Sequence, residues 1–544
     1  MISPSKKEFV KFARDGKVVP LYCEIAFASP QSLYKLFKST NTFLLESVKG
    51  PKKIARYSFI GFDPYLTFRA KNGYIELETP GGKIENGYVR KLNGLPAKIS
   101  STKKRGARDK FSVEGKAVSK TIPLKQHSIV SKRPLTMLKN LMKSYMQSAH
   151  KNLPPFQGGL VGILSYDFVQ YLEKLPHNAI DDLNLPDAHF SIIDRLIALD
   201  HYKKEGWIIV CPGARESLRR EGINTGIDWS EQYDEAEYEI RNILKKIENN
   251  HLHIITNNSQ FAIRNSQFSK IGIIYEMKKN AYMDIVRKTK EYIAAGDIFQ
   301  SNLSQRVSAY IGDKNPWNLY EILSSINPSP FAAFIDFGDY QIVSSSPERL
   351  IRVKDRVIET RPIAGTRPRG KDKKEDELMR IELLLNEKER AEHIMLIDLE
   401  RNDLGRVSYY GSVAVDELMI TEDYSHVIHI VSNIRGELAD GKDSFDAIKA
   451  AFPGGTITGV PKVRCMEIID ELEPVRRGPY TGSIGYVSFS GDMDLNIIIR
   501  TFVIKDEMAY VQVGAGIVAD SDPEREYYET LKKAEALIRT LEIV

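Results

Sequence analysis

Cysteine is scarce in this chain: Cys23, Cys211 and Cys465 are the only three in 544 residues, widely separated and in no metal or redox spacing. That excludes a disulfide framework and suits a reducing compartment. No apolar run approaches the length needed to cross a bilayer, and the opening Met1-Ile2-Ser3-Pro4 leads into lysines without a secretory apolar stretch. A cytoplasmic protein without membrane contact is expected. Excess charge of one sign is also missing, the formal balance being only +5, too little for a general nucleic-acid binder. Low-complexity tracts are absent, and neither of two small-residue loops has the spacing of a phosphate-binding P-loop, so kinase and ATPase chemistry find no support.

What is present is a globular composition, with 42% hydrophobic and 27% charged residues, 36 glycines and 25 prolines. A chain of 544 residues exceeds one ordinary core, so two regions or one large compound domain are expected. Residues 1 to about 95 read as strands and turns around one helix, closing on the alternating Tyr74-Ile75-Glu76-Leu77-Glu78. From about 97 to 133 the chain turns basic and loses apolar periodicity, which reads as a surface insertion. Gly158 to Leu164 reads as a buried strand, and polar Asn249 to Gln267 as a linker. The division is therefore 1–270 and 271–544, the second part opening on a helix from Tyr282 to Ala294.

Chemistry concentrates in the second part. Glu389 and Glu392, three apart among strong helix formers, share a face continued by Leu396 and Leu399. Asp522 caps a later helix with Pro523 at its first position, and Glu526, Glu529 and Lys533 recur at helical spacing. Each pair alone is most simply a solvated helix face. A carboxylate aimed along a leucine stripe, however, needs a cation or a proton. A hard cation would supply it, and without accompanying His or Cys clusters Mg²⁺ fits these carboxylates better than zinc does.

A strand from Met508 to Val513 runs into Gly514-Ala515-Gly516-Ile517-Val518-Ala519, formally a dinucleotide fingerprint. Too little chain follows to complete a βαβ unit, so the glycines are read instead as an anion-binding loop. Arg500, at the end of Asn496 to Ile499, adds a possible bidentate carboxylate contact.

With these motifs in place, the second half resembles the chorismate-utilising family, which includes anthranilate, aminodeoxychorismate, isochorismate and salicylate synthases. The likeness rests on Arg361-Pro362-Ile363-Ala364-Gly365-Thr366, Glu389 to Asn402, Gly454 to Lys462, Arg476-Arg477-Gly478-Pro479-Tyr480 and Gly514 to Glu529, in that order. Leu44-Leu45-Glu46-Ser47, Arg56 to Gly61 and Asn327-Pro328-Ser329-Pro330 look like the tryptophan-site segments of anthranilate synthase large subunits.

The resemblance implies an α/β (α+β) fold of two packed, mainly antiparallel sheets flanked by helices, built from strands of both halves. It implies that Gly365, Thr366, Tyr480, Arg500, Gly514, Ala515 and Gly516 hold chorismate. Glu392, Glu529 and Glu526 would ligate Mg²⁺. Glu389, buried near other acids, would protonate the departing ring hydroxyl as ammonia attacks, and His429 would serve the loss of pyruvate, with Thr456 and Lys533 also in catalytic positions. Ser47, Pro328, Ser329 and Pro330 would hold tryptophan as an effector. No cysteine sits in a glutaminase-like elbow, so a separate glutaminase subunit is the implied partner, in a hetero-oligomer.

On the product the motifs divide. Relatives forming 4-amino-4-deoxychorismate often carry a lysine nucleophile where Ala364 stands, which favours anthranilate. Asn302 to Arg306, Gly454 to Gly459 and Thr481 to Gly485 look more like the aminodeoxychorismate branch, which is the alternative. Gln300 stands where water-using relatives carry a lysine, which disfavours isochorismate and salicylate. A tryptophan-sensing protein without catalysis is the reading of a different class, and the intact Glu389, Glu392, His429 and Glu529 count against it.

Overall fold

The computed structural model describes residues 1–79, 125–130, 133–220, 226–250, 271–424 and 427–544. Most of the basic insertion and nearly all of the linker lie outside the described residues.

Among the described residues the strands form one 13-stranded and one 12-stranded sheet, every pairing within them antiparallel. Alternation along the strands decides the layering. In the strand Arg195–Asp200, Leu196 and Ala198 face the second sheet, packing with Val161, Ile163, Ile484 and Tyr486. Ile197 and Leu199 belong to the core on the opposite face, shared with helices such as Trp229–Asn249 and Pro523–Ile543. The expected two-sheet, helix-flanked α/β architecture is what the chain adopts.

Residue 270 separates no bodies. Thr42–Glu46 pairs with Phe331–Asp336 in the first sheet, and Gly159–Leu164 pairs with Ser483–Ser488 in the second, so each sheet crosses that point. The strand expected at Gly158 to Leu164 is present and fully buried, and the helix expected at Tyr282 runs Lys279–Ala294.

Three local expectations need correction. Lys125–Val130, read as part of a surface insertion, is an edge strand paired with Tyr74–Thr79. Backbone pairing with a formed neighbour outweighs its weak apolar pattern, and lysine is well suited to a sheet edge. Gly514 to Gly516 form no loop: the strand runs unbroken over Met508–Ile517, with Gly514 opposite Ser304 and Gly516 opposite Asn302. Arg500 does not end a strand either. It sits in a break between Met493–Asn496 and Thr501–Lys505 with φ 52°, a left-handed conformation that turns its side chain away from the regular strand direction.

Candidate active site

The helix Glu387–Gly405 is started by Asn386, whose side chain accepts from the Glu389 backbone N–H at 3.0 Å. His393, Leu396, Ile397, Glu400 and Leu404 form its buried face. Buried His393 meets Ser432 Oγ at 2.7 Å and so ties the helix to the strand Val427–Glu437, which carries His429. Glu389 lies one turn before His393 on that side. Its Oε1 accepts from Arg367 at 2.6 Å, while its Oε2 is buried and without a hydrogen-bond partner among the described residues.

Opposite stands Gly365, at φ 64° in a bulge of the strand Ile363–Pro368. A Cβ at Gly365 would lie 2.3 Å from Glu389 Oε2, so glycine is required there by backbone and by space. On the same strand Thr366 pairs across to His429, their Oγ1 and Nδ1 2.9 Å apart. His429 is buried, its Nε2 has no partner among the described residues, and its ring meets Tyr424 edge-on at 5.1 Å. Burial, together with the nearby positive charge of Arg500, pulls its pKa down to about 4, so the imidazole is neutral at physiological pH.

One member of the site was invisible to the sequence reading. Glu348 is buried between two strands, and burial raises its carboxyl to about pKa 7 despite hydrogen bonds from Thr456 and the Ile363 backbone and the fields of Arg500 and Lys533. Thr456 Oγ1 donates to its Oε1 at 3.1 Å. The available signal was an acid closing the small-residue run Val343 to Pro347, directly before Arg349. Beside it, the Arg500 guanidinium has no ion pair or hydrogen bond among the described residues. Its pKa is lowered by burial, with Glu348 and Tyr424 acting in the other direction. A half-buried, unpaired guanidinium is a receptor for an anion.

The strand bearing Gly514 and Gly516 supplies the floor. A Cβ at Gly514 would lie 2.6 Å from Asn302 Oδ1 and 2.8 Å from Tyr480 Oη; one at Gly516 would lie 2.6 Å from Gln300 Nε2 and 4.0 Å from Glu392 Oε1. The bare strip thus runs under Tyr480, Asn302, Gln300 and Glu392, while Ala515 points the other way into the core. Gln300 donates to Glu392 at 3.1 Å. Lys533 donates to the Gly514 carbonyl at 3.1 Å and pairs with exposed Glu529 at 2.9 Å. Glu526, one turn earlier, is half-buried and its pKa is raised by burial.

Glu389 and Glu392 thus lie on one helix and Glu526 and Glu529 on another, as their spacing predicted. Among the described residues no three His, Cys, Asp or Glu side chains stand close enough to enclose a metal ion by themselves. The donor set Glu392, Glu526 and Glu529 is all carboxylate, a chemistry that would suit a hard, oxygen-preferring cation better than zinc.

A separate cavity of about 180 Å³ lies between the two sheets, lined by Ser47, Lys53, Arg56, Phe59, Pro330 and Tyr486 among others. Ser47 Oγ donates to the Pro330 carbonyl at 3.1 Å, and the Val48 N–H donates to the Ser329 carbonyl at 3.1 Å. Ser47 and Pro330, the two outer parts of the expected effector site, thus meet at one pocket, with Ser329 buried behind them.

Residues 99–539 match the family described as chorismate binding enzyme. The chain belongs to that family. Its members are enzymes, and the match begins well upstream of 271, consistent with sheets that draw strands from both halves. The chain is 41% identical to anthranilate synthase component 1 of Acetivibrio thermocellus, over 100% of this chain and 99% of that protein. It is also 41% identical to aminodeoxychorismate synthase component 1 of Bacillus subtilis, over 92% and 91%. Among solved structures, anthranilate synthase component I from Streptococcus pneumoniae aligns with a TM-score of 0.68 at 32% identity, covering 89% of this chain and 92% of that one. The menaquinone-specific isochorismate synthase from Escherichia coli shares the fold, with a TM-score of 0.60 at 15% identity over 98% and 99% of the two chains. Among the described residues no helix is long and apolar enough to cross a membrane.

Proposed function

We propose that this chain aminates chorismate with ammonia delivered by a glutaminase partner and then eliminates pyruvate to give anthranilate, with tryptophan as feedback effector. The observation that carries the reading is a half-buried Arg500, without a partner among the described residues, whose field reaches a buried carboxylic acid, Glu348. Chorismate offers the complement: carboxylates to engage the cation, and a ring hydroxyl that leaves only once protonated.

Arg500, Thr366 and Tyr480 hold the carboxylates above the glycine strip. Magnesium, held by Glu392, Glu526 and Glu529, would neutralise substrate charge. Two carboxyls compete for the proton-donor role. Glu389 already accepts from Arg367, whereas Glu348, at about pKa 7, carries a transferable proton near neutrality, so Glu348 is the better donor. As its proton goes to the hydroxyl, the C–O bond breaks, water leaves, and the ammonia lone pair forms the new C–N bond. Neutral His429 then takes the ring proton beside that bond. The enolpyruvyl ether C–O bond breaks, the ring becomes aromatic and the released enol converts to pyruvate.

A second reading, aminodeoxychorismate formation, is favoured by the equal identity to the Bacillus subtilis relative. Ala364, beside the Gly365 bulge, offers no nucleophile for a covalent route. The two are separated by incubating the purified chain with chorismate, Mg²⁺ and ammonium: anthranilate with one pyruvate per turnover supports the first, and 4-amino-4-deoxychorismate without pyruvate supports the second. The name component 1 carried by the relatives supports a partner subunit, and the pocket at Ser47 and Pro330 supports an effector site. A cytoplasmic location is part of the same proposal.

A further inference from the structure

Between the sheet-interface pocket and His429 lies a cluster of charges that the chemistry above does not use. Arg361 is buried, immediately before the strand that carries Gly365 and Thr366. Its NH1 pairs with Glu417 at 2.6 Å and its NH2 with Glu422 at 2.5 Å. Lys53 reaches the same two acids, contacting both Glu417 oxygens at 2.7 and 2.6 Å and Glu422 at 3.5 Å. Two cations and two carboxylates thus form a closed, neutral square.

Its corners belong to different sites. Lys53 lies in the segment Gly50 to Arg56, which lines the sheet-interface pocket; a Cβ at Gly50 would stand 3.1 Å from Pro330 Cβ. Glu422 is the cross-strand partner of His429 and accepts at 3.4 Å from Tyr424, whose ring edge meets the His429 imidazole. The Arg361–Glu422 pair is about 95% buried on both sides, whereas Lys53, held by the same two acids, is 43% exposed. A buried ion pair joined to a solvent-facing cation through shared carboxylates lets a displacement at one end be felt at the other.

We propose that Lys53, Glu417, Arg361 and Glu422 form a joint through which the sheet-interface pocket and the His429 side of the active site sense each other's occupancy. The proposal rests on the reading of that pocket as an effector site. Glu417 is its point of attack, touching neither cavity yet shared by both cations.

The test uses the full chain and Glu417→Gln, with Lys53→Gln as a second variant. Chorismate with Mg²⁺ is expected to slow backbone hydrogen exchange across residues 47–58 of the wild type by about threefold or more, and not in Glu417→Gln. In parallel, the factor by which tryptophan weakens chorismate binding is expected to fall at least about fivefold in the variant. Tryptophan affinity alone and kcat/KM without tryptophan should stay within about threefold of wild type. Equal protection in wild type and both variants, or no protection in the wild type, overturns the joint. Protection that is lost in the variants, together with no tryptophan binding to any form, leaves the joint standing and removes the effector reading instead. Should Glu417→Gln fail to fold, Lys53→Gln decides by the same exchange measurement.

Discussion

Thr456 Oγ1 donates a hydrogen bond to Glu348 Oε1 at 3.1 Å, inside a site where Arg500, whose field reaches Glu348, has no partner of its own among the described residues. A hydroxyl donor and a nearby guanidinium both favour the ionised carboxyl, yet burial prevails and leaves Glu348 at about 7. The balance is close enough for the group to give up its proton on demand.

Glu348→Gln is expected to lower kcat by roughly 10²- to 10⁴-fold while chorismate affinity changes little, because the amide keeps the shape and loses the proton. At constant free ammonia, wild-type kcat/KM should fall above about pH 7, where Glu348 ionises in the free enzyme, and the variant should lack that limb. The same group makes a stability prediction. Its folded pKa is raised above the unfolded value, so the fold binds the proton more tightly, and stability is lost as pH rises from about 4.5 to 7. That loss amounts to on the order of 3 kcal/mol. Chemical denaturation of the wild type and Glu348→Gln across that window checks the sign.

His429 titrates in the opposite sense. Burial first, then Arg500, depresses its folded pKa to about 4, so stability falls as pH drops from about 6.5 towards 4, where the unfolded chain takes up the proton and the fold resists. His429→Asn should lessen that acid sensitivity. In turnover it should stop the second step, releasing an aminated, non-aromatic product with the enolpyruvyl group still attached, detectable by mass spectrometry.

Gly365→Ala places a methyl 2.3 Å from Glu389 Oε2 on a left-handed backbone, and Gly514→Ala places one 2.6 Å from Asn302 and 2.8 Å from the Tyr480 hydroxyl. The first is expected to cost at least about 100-fold in kcat/KM, since misplacement by about 1 Å is enough for that. The second should raise KM more than it lowers kcat, because it crowds the floor on which the substrate rests. Steady-state kinetics with melting curves separate these outcomes from misfolding.

Tryptophan at about 100 times its dissociation constant should stabilise the chain by about 2.7 kcal/mol if it binds only the folded state. Ser47→Arg, which fills the mouth of the sheet-interface pocket beside Pro330, should abolish that shift and leave the ammonium-dependent activity in place. Thermal shift assays with and without tryptophan read both.

Much of this was legible in the order of residues. Helical spacing placed Glu389 with Glu392 and Glu526 with Glu529, and the Asp522-Pro523 start is where the last helix begins. A short apolar run punctuated by glycines anticipated the buried strand Gly159–Leu164. What escaped was non-local. Gly514 to Gly516 read as a loop because glycine weakens local strand preference, but ten ladder partners along Gln300–Tyr310 hold the strand through them. Glu348 carries no periodic signature, and only the meeting of Arg500, Thr456 and Ile363 around it, from three distant segments, gives it a role. The charged square around Arg361 joins residues more than 300 positions apart, which no local pattern encodes.

The central claim is that the Arg500 and Glu348 pocket joins ammonia nitrogen to the chorismate ring. The most direct measurement supplies the purified chain with chorismate, Mg²⁺ and ¹⁵N-labelled ammonium and follows the ring product by mass spectrometry. The account predicts a product carrying one ¹⁵N atom, formed by the wild type and reduced at least about 100-fold in Glu348→Gln. Chorismate left intact, or consumed without any ¹⁵N entering the ring, would contradict it.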